Sequence, residues 1–267
     1  MIIYSHSLQG RRDDNEDTHY IFDNLNNNIK KINPITFLSV FDGHGGKQIS
    51  HFLKNNLPLY FLKNNNNLYL KSNLAINFFN DIFNYIQKTI INQHPKIVQR
   101  CGSTACICIH YINKNNKPKL WVINLGDTRI IKCNKMNISE QLSLDHKPNE
   151  PSEKKRIESL CGKISKDLND DYRIKNLSLS RSFGDLDCVP YVTHIPSIYA
   201  YNINKGDKFI ILACDGLWDV LSNQDAADFI NALLDNPNYK GNYAKDLAEH
   251  AFNSKSYDNI TVIVYIL

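Results

Sequence analysis

The sequence predicts an α+β layered sandwich, in which antiparallel sheets are covered by helices. Strand-like runs come in blocks near the beginning, the middle and the end of the chain, and runs with helical spacing come in pairs. The connections between the first strands are too short for crossover helices, so these strands are expected to form an antiparallel meander. This order of elements argues against a doubly wound parallel fold.

The first third of the chain shows the change from strand to helix periodicity. Short apolar or alternating runs predict strands over residues 2–9, 18–22 and 37–41, with an asparagine-rich turn at 24–28. After Gly46, apolar residues recur at spacings of three and four and predict helices over residues 49–60 and 74–90. Residues 63–67 between them are predicted to be a loop.

The rest of the chain returns to strands and then closes with a helix pair and a last strand. Pro151 and Gly162 bracket one predicted helix with the usual asymmetry of helix ends. Polar, poorly patterned residues predict a flap-like surface excursion near 163–176. The remaining predictions are strands at 104–112, 120–125, 128–133, 191–198, 209–214 and 260–266, a hairpin loop at 114–118, and helices at 151–160, 224–234 and 243–252.

Length and charge limit the class of protein. The chain has 267 residues, of which 42% are hydrophobic, and we expect one domain spanning residues 1–267. The net charge of +4 is mild, and the sequence contains no basic stripe with interleaved aromatic residues. We therefore expect no nucleic-acid partner. Lys154-Lys155-Arg156 is instead predicted to lie on the solvated face of a helix.

The N-terminus and the cysteines indicate the compartment. Residues 1–6 have no basic flank or long apolar core, and the chain has no apolar run of 18 residues, so no membrane partner is expected. The seven cysteines contain no CxxC pair and several lie within apolar runs, which predicts reduced core thiols. We therefore expect a monomeric protein of the cytoplasm, with the nucleus as a second location.

Four of the predicted strands carry an aspartate at one end. Asp42 and Asp215 each follow an apolar run and precede a glycine, Asp127 follows Gly126, and Asp258 precedes the last strand. An isolated Asp-Gly pair is commonly a hairpin turn, but the repetition favours a site. If these strands are neighbours, their carboxylates converge, and an all-oxygen ligand set is typical of Mg2+ or Mn2+.

A series of short motifs runs in order along nearly the whole chain. The motifs are Arg12 with Glu16-Asp17, Asp42-Gly43-His44-Gly45-Gly46, Gly102-Ser103-Thr104, Gly126-Asp127, Asp145-His146-Lys147-Pro148, Ser180-Arg181-Ser182-Phe183-Gly184-Asp185, Asp215-Gly216-Leu217-Trp218-Asp219 and Asp258-Asn259. Each motif alone is weak, but eight in this order resemble the metal-dependent protein phosphatase 2C family. The resemblance implies a four-layer α-β-β-α sandwich with two central antiparallel sheets flanked by helical pairs.

The resemblance also implies a chemistry. It predicts a protein serine/threonine phosphatase whose substrates are phosphorylated proteins and whose cofactors are two Mg2+ or Mn2+ ions, with a weaker third ion allowed for. A water shared by the two ions would attack phosphorus. The alternatives are a pseudophosphatase scaffold with the same fold, and a phosphatase of a small phosphate ester.

The metal ligands follow from the matched positions. Asp42 would bridge both ions, and Gly43 would add its carbonyl oxygen. Glu16 would hold one ion and Asp215 and Asp258 the other. The further members of the group are Asp17, which would steady the acidic cluster, and Asp127, which would serve the third ion.

Two residues are expected to act on the substrate. The planar guanidinium of Arg12 would grip phosphate, the alternative being a surface salt bridge with Asp13 or Asp14. His44 would be the general acid for the leaving oxygen, the alternative being a loop histidine bonded to a backbone carbonyl.

The remaining matched residues have structural alternatives. Asp127 could instead cap the turn at Gly126, and Asp219, expected near the metals, could be a carboxylate at a helix N-terminus. Arg181 and Asp185 are predicted to form a buried or half-buried scaffold ion pair. The flap departs from the family pattern, with Asn176 where glycine is usual, and asparagine tolerates the left-handed region.

Overall fold

Two five-stranded antiparallel sheets form the centre of the structure, a computed structural model that describes residues 1–27, 29, 33–69, 72–167 and 171–267. The strands are β1 (Ile2–Leu8), β2 (Thr18–Asp23), β3 (Ile35–Phe41), β4 (Gly43–His44), β5 (Gly102–Ser103), β6 (Ala105–Ile112), β7 (Pro118–Leu125), β8 (Arg129–Cys133), β9 (Ser139–Gln141), β10 (Ser165–Lys166), β11 (Tyr172–Arg173), β12 (Phe183–Gly184), β13 (Ser197–Asn202), β14 (Phe209–Ala213) and β15 (Ile260–Ile266). The α-helices are α1 (Gln48–Lys63), α2 (Ser72–Gln93), α3 (Pro151–Ser159), α4 (Asp215–Trp218), α5 (Asn223–Leu234) and α6 (Tyr243–Asn253).

The two large sheets differ in how far apart in sequence their neighbouring strands lie. One has the order β1-β15-β14-β8-β9 and joins the two ends of the chain, and the other has the order β13-β7-β6-β3-β2. A separate three-stranded sheet, with the order β12-β5-β4, contains only two-residue strands. Every pair of strands in these sheets is antiparallel.

Alternating side chains on the strands build three layers of core. On β3, Phe37 and Phe41 face the helices α1 and α2, whereas Leu38 and Val40 face the other sheet. On the opposite side, Ile211 and Val264 pack against α5 and α6. The result is the expected four-layer α-β-β-α sandwich, and the predicted fold class is confirmed.

Several predicted elements differ from those observed. The first strand does not continue into a meander, because β1 pairs with β15 from Ile2↔Ile266 to Leu8↔Ile260. The strand predicted over 191–198 begins only at Ser197, and the predicted loop 63–67 contains most of a 3-10 helix, Asn65–Tyr69. The two-residue strands of the small sheet were not predicted, because two residues carry no periodicity.

The predicted excursion near 163–176 contains one short hairpin, β10 with β11. Residues 168–170 of this excursion, and residue 28 of the predicted asparagine-rich turn, lie outside the described residues. Beside the excursion, α3 begins where predicted, since Pro151 is in its first turn and the Glu150 side chain accepts from the backbone N–H of Ser152 and Glu153.

All seven cysteines are free, six of them buried, which confirms the prediction of core thiols. Within the described parts of the chain, no helix has the length and apolar character needed to span a bilayer.

Candidate metal and phosphate site

The four strand-end aspartates meet at one edge of the sandwich. Asp42 and Asp127 follow strands of one large sheet, while Asp215 and Asp258 adjoin neighbouring strands of the other. Carboxylate oxygens of Asp42, Asp127 and Asp215 lie within 4.8 Å of one another. The two sheets therefore contribute to one acidic cluster.

An open cavity of about 430 Å³ lies over this cluster. It is lined by eight of the ten predicted site residues: Arg12, Glu16, Asp42, Gly43, His44, Asp127, Asp215 and Asp258. Asp17 lies deeper, with 6% of its surface exposed, and Asp219 lies outside the lining. Arg173 and Asn176 of the flap also line the cavity, together with residues 177–179 that follow the flap.

Burial and, after it, the crowding of like charges determine the electrostatics of the cluster. Burial and the neighbouring carboxylates of Asp17, Asp215 and Asp127 raise the pKa of Asp42 well above its usual value. Burial and Asp127 likewise raise the pKa of Asp215. These carboxylates lack sufficient positive charge within the protein itself, so a bound cation would relieve their repulsion.

The environment of the Asp17 carboxylate indicates whether the cluster fits a metal ion. Its Oδ2 atom is buried and has no hydrogen-bond partner among the described residues. Burial is the main cause that raises the pKa of Asp17 to about 6. An unsatisfied carboxylate oxygen beside three converging carboxylates fits a hard divalent cation.

Cys214 lies close to Asp17 and Asp42 but does not share their role. Burial raises the pKa of the Cys214 thiol well above its usual value. Its Sγ donates to the Asn259 carbonyl and accepts from the Thr261 N–H at 3.1 Å. The thiol is engaged by the backbone, which leaves only oxygen ligands for an ion.

Asp42 is held by the backbone and the side chain of Thr104, which lies between β5 and β6. The Asp42 N–H donates to Thr104 Oγ1 at 3.1 Å, and the Thr104 N–H donates back to the Asp42 carbonyl at 2.8 Å. Thr104 Oγ1 also bonds Thr128 Oγ1 at 2.7 Å. Thr104 thus fixes the backbone from which the central carboxylate projects.

Gly43 is required by a close backbone approach. A Cβ atom at this position would lie 2.4 Å from the Glu16 carbonyl and 2.9 Å from Ser50 Oγ. Ser50 Oγ donates to the same Glu16 carbonyl. The absence of a side chain at Gly43 therefore brings the Glu16 segment against the Asp42 loop.

The Arg12 loop is fastened to the last strand by Asn259. Asn259 Oδ1 accepts from the Glu16 N–H at 2.9 Å, and its Nδ2 donates to the carbonyls of Gln9 and Asp14. Arg12 Nη2 lies 2.5 Å from Asp258 Oδ2, and the Arg12 side chain is 58% exposed. Arg12 therefore pairs with Asp258 rather than with Asp13 or Asp14, and its guanidinium borders the cavity.

His44 and Arg181 have partners that differ from the predicted ones. His44 Nε2 lies 2.7 Å from Asp185 Oδ2, and Arg181 Nη2 lies 2.5 Å from Glu153 Oε1. The predicted ion pair between Arg181 and Asp185 is wrong, because Arg181 pairs with Glu153 of α3 and Asp185 contacts His44. Although burial lowers the pKa of His44, the Asp185 carboxylate raises it above the usual value.

Lys147 occupies one side of the acidic cluster. Its Nζ lies 2.5 Å from Asp127 Oδ2 and 3.9 Å from Asp215 Oδ2. Although burial lowers the pKa of Lys147, the carboxylates of Asp127 and Asp215 raise it above the usual value. Asp127 is therefore paired with an ammonium group, a contact that its motif position alone did not indicate.

Asp219 lies at the C-terminal end of α4, where its N–H donates to the Asp215 carbonyl at 2.8 Å. The alternative of a helix N-terminal carboxylate is therefore wrong. Burial raises the pKa of Asp219, and Lys147 opposes that shift.

In the flap, the left-handed residue is Lys175, with a φ of 54°, rather than Asn176. The turn is closed by reciprocal backbone hydrogen bonds between Ile174 and Leu177, of 2.9 and 3.1 Å. Lys175 Nζ donates to the Asp187 carbonyl, which anchors the turn in this conformation.

Sequence reasoning placed three functional candidates among the scaffold or gave them no role: Asp185, Lys147 and Asn259. All three belong to motifs that were recognised, so motif membership was the available signal. Their contacts join segments far apart in sequence, such as Asn259 with Gln9. Only the fold shows which partner each one meets.

Comparison with known proteins identifies the family of this chain. The family model described as Protein phosphatase 2C matches residues 3–260. Protein phosphatase 1L of Bos taurus is 34% identical over 97% of this chain and 70% of its own length. A PP2C-like domain-containing protein of Acanthamoeba polyphaga mimivirus is 39% identical over 57% of this chain and 97% of its own length.

A solved structure extends the comparison to the fold. The serine-threonine phosphatase 2C from Toxoplasma gondii superposes with a TM-score of 0.82 at 21% identity, over 99% of this chain and 94% of that one. At this identity the likeness concerns the fold alone, whereas the family follows from the match over residues 3–260. The chain therefore belongs to the protein phosphatase 2C family, and its enzymatic class is that of a protein phosphatase.

Proposed function

We propose that the protein hydrolyses phosphoserine and phosphothreonine in proteins, and that it requires divalent cations, Mg2+ or Mn2+. The observation that carries the proposal is the convergence of the Asp42, Asp127 and Asp215 oxygens beneath a cavity bordered by Arg12 and His44. A cluster of carboxylates attracts cations and repels phosphate unless ions are bound, so cation and substrate binding are linked.

The acidic residues would hold the ions. Asp42, with the Gly43 carbonyl, would contact both ions. Glu16 would hold the first ion, and Asp215 and Asp258 would together hold the second. Asp17 would support this group from below, and Asp127 would serve a weaker third ion together with Asp215. Bound ions of this kind supply a water of lowered pKa and stabilise charge on phosphate oxygens.

The remaining residues would act on the substrate. Arg12 would donate two parallel hydrogen bonds to phosphate oxygens and orient phosphorus for in-line attack. As the bond from phosphorus to the serine or threonine oxygen breaks, His44 would donate its proton to that oxygen. The products are inorganic phosphate and the free hydroxyl group of the protein.

The test measures phosphate release from a phosphothreonine peptide in Mn2+ and after dialysis against EDTA. Hydrolysis that needs the ion supports the proposal, and full activity after exhaustive dialysis contradicts the metal requirement. No hydrolysis of any phosphate ester with saturating Mn2+ indicates a pseudophosphatase. Hydrolysis of small esters without the peptide indicates a small-ester phosphatase.

We also propose an oligomeric state and a cellular location. We expect a monomer in the cytoplasm, with the nucleus as a second location, on the basis of the mild charge and the free core thiols. Sedimentation of the purified protein and imaging of a fluorescent fusion would test these two points.

A further inference from the structure

The small three-stranded sheet brings together residues that are remote in sequence. In its register, His44 of β4 and Gly184 of β12 both pair with Gly102 of β5, one on each side. Asp185 follows Gly184 directly, so the sheet carries its carboxylate to the His44 ring. The resulting contact joins His44 Nε2 and Asp185 Oδ2 at 2.7 Å.

Gly102 is required for this contact. A Cβ atom at position 102 would lie 2.1 Å from Asp185 Oδ2 and 2.5 Å from His44 Nε2, closer than real Cβ contacts allow. The missing side chain leaves the space in which the carboxylate and the imidazole meet. The central strand of the small sheet is thus shaped around this pair.

The conformation of Asp185 points the same way. Its φ is 50°, in the left-handed region that is unfavourable for most residues, although Asp and Asn tolerate it. Its side chain is 2% exposed, and Oδ2 also accepts a hydrogen bond from Ser182 Oγ. A residue with a strained backbone is often found at a functional position. Here the buried carboxylate of such a residue is hydrogen-bonded to a histidine that lines the cavity.

We propose that Asp185 is the positioning residue for His44 in the phosphatase reaction. By accepting from Nε2–H it fixes the orientation of the ring and leaves Nδ1 as the nitrogen that serves the leaving oxygen. The proton passes from Nδ1 to the serine or threonine oxygen as the bond to phosphorus breaks, and Asp185 keeps its charge throughout. This inference rests on the proposed function.

The main variant is Asp185→Asn, which keeps the size of the side chain and tolerates the left-handed backbone. It is expected to lower kcat on a phosphothreonine peptide by about 10–100-fold, part of the range for a general acid, with KM and Mn2+ affinity unchanged. On 4-nitrophenyl phosphate, whose leaving group needs no proton, the loss should stay within about threefold.

Two controls separate positioning from general damage. Asp187→Asn lies two residues away and removes only an exposed contact with Arg100, so both activities should persist. In the double variant of His44→Gln and Asp185→Asn, the loss on the peptide should equal that of His44→Gln alone, because Asp185 acts only through His44. Additive losses, or equal losses on both substrates with intact Mn2+ binding, overturn the proposal.

A measurement on the unaltered protein covers the case in which Asp185→Asn does not fold. In ¹⁵N NMR of the Mg2+-loaded protein, the neutral His44 ring should carry its proton on Nε2, with the signal assigned by its loss in His44→Gln. A proton on Nδ1 contradicts the proposal. If the unaltered protein fails to hydrolyse the peptide, the proposed function fails, while the NMR result still decides the contact between His44 and Asp185.

Discussion

Two buried carboxylate environments in this protein have opposite electrostatics. Glu153 of α3 is 1% exposed and accepts from Arg181 at 2.5 Å and from Arg156 at 2.8 Å. Although burial raises its pKa, these hydrogen bonds and that of Ser180 lower it to about 2. At the acidic cluster, burial and neighbouring carboxylates instead raise the pKa of Asp42.

The difference separates a carboxylate that is neutralised within the fold from carboxylates that are not. The chain supplies two guanidinium groups to Glu153, so that charge is neutralised within the fold. At the acidic cluster the chain supplies Lys147 on one side, and several carboxylates stay in mutual repulsion. A cluster left in this state is suited to bind an external cation.

The largest expected effect is that of Asp42→Asn. It should lower activity on every substrate by about 10³-fold or more, since bound ions supply several kcal/mol of transition-state stabilisation. Calorimetry should show weakened Mn2+ binding. Because the variant also removes one repelling charge, its melting temperature in EDTA should be equal to or above that of the unaltered protein. A lower melting temperature in EDTA would show that Asp42 stabilises the fold like Glu153.

The opposite pattern is expected for Glu153→Gln. Two largely buried guanidinium groups would lose their charged partner, which costs about 3 kcal/mol of the free energy of unfolding. Urea denaturation should give the same loss in EDTA and in Mn2+, since the proposed metal ligands are not involved. The exposed Glu158→Gln on the same helix is the control and should change stability by less than about 0.5 kcal/mol. A loss seen only without metal would contradict the separation of the two environments.

Dependence on pH should sharpen the comparison. The folded pKa of Asp17, about 6, lies above its unfolded value of 3.8. Its protonated form therefore stabilises the metal-free protein fully below pH 3.8, and that stability is lost as the pH rises through 6. The effect is up to about 3 kcal/mol.

The measurement compares melting temperatures between pH 5 and 7 in EDTA and in saturating Mn2+. With rising pH, the melting temperature in EDTA should fall relative to that in Mn2+, because ions bind the deprotonated carboxylates. Buried His110 and His146, whose pKa values are lowered, contribute with the opposite sign under both conditions. Parallel curves in EDTA and Mn2+ would remove Asp17 from the metal-linked group.

The smallest of these effects concerns Arg12→Ala, which should raise KM for the peptide about tenfold and change kcat by less than about threefold, since phosphate is held in the ground state and the transition state alike. Arg11→Ala is a matched control, because the Arg11 guanidinium lies over the Phe252 ring at 4.2 Å rather than at the cavity. An unchanged KM with a large fall in kcat would place the action of Arg12 in the transition state.

Sequence reasoning reached the acidic cluster because its signal is local. An apolar run that stops at Asp42-Gly43 or Asp215-Gly216 marks the end of a buried strand, and such ends can meet. The fold class followed from the order of such runs. The sheet that β1 joins did not follow, because alternation predicts a buried face and does not identify the partner strand.

The partners of His44 and Arg181 were beyond the same reasoning for a different reason. The contact between His44 and Asp185 depends on three two-residue strands, which leave no periodic pattern in the sequence. Arg181 was paired with Asp185 of the same motif, yet its partner Glu153 lies 28 positions away on α3. Proximity along the chain is a weak guide to ion pairs between irregular segments.

If Asp127 holds an ion as proposed, that ion has to displace the Lys147 ammonium, so its uptake is an exchange rather than an addition. The Lys147 ammonium competes with such a cation for Asp127 and Asp215. Because Lys147 belongs to the same chain, its effective concentration at these carboxylates is fixed by the fold. Weak apparent affinity at this position would then be a consequence of this competition. Lys147→Met should tighten the weakest Mn2+ binding step seen by calorimetry by about tenfold, since the ion no longer breaks a charged contact. Unchanged affinity would mean that Lys147 moves aside freely.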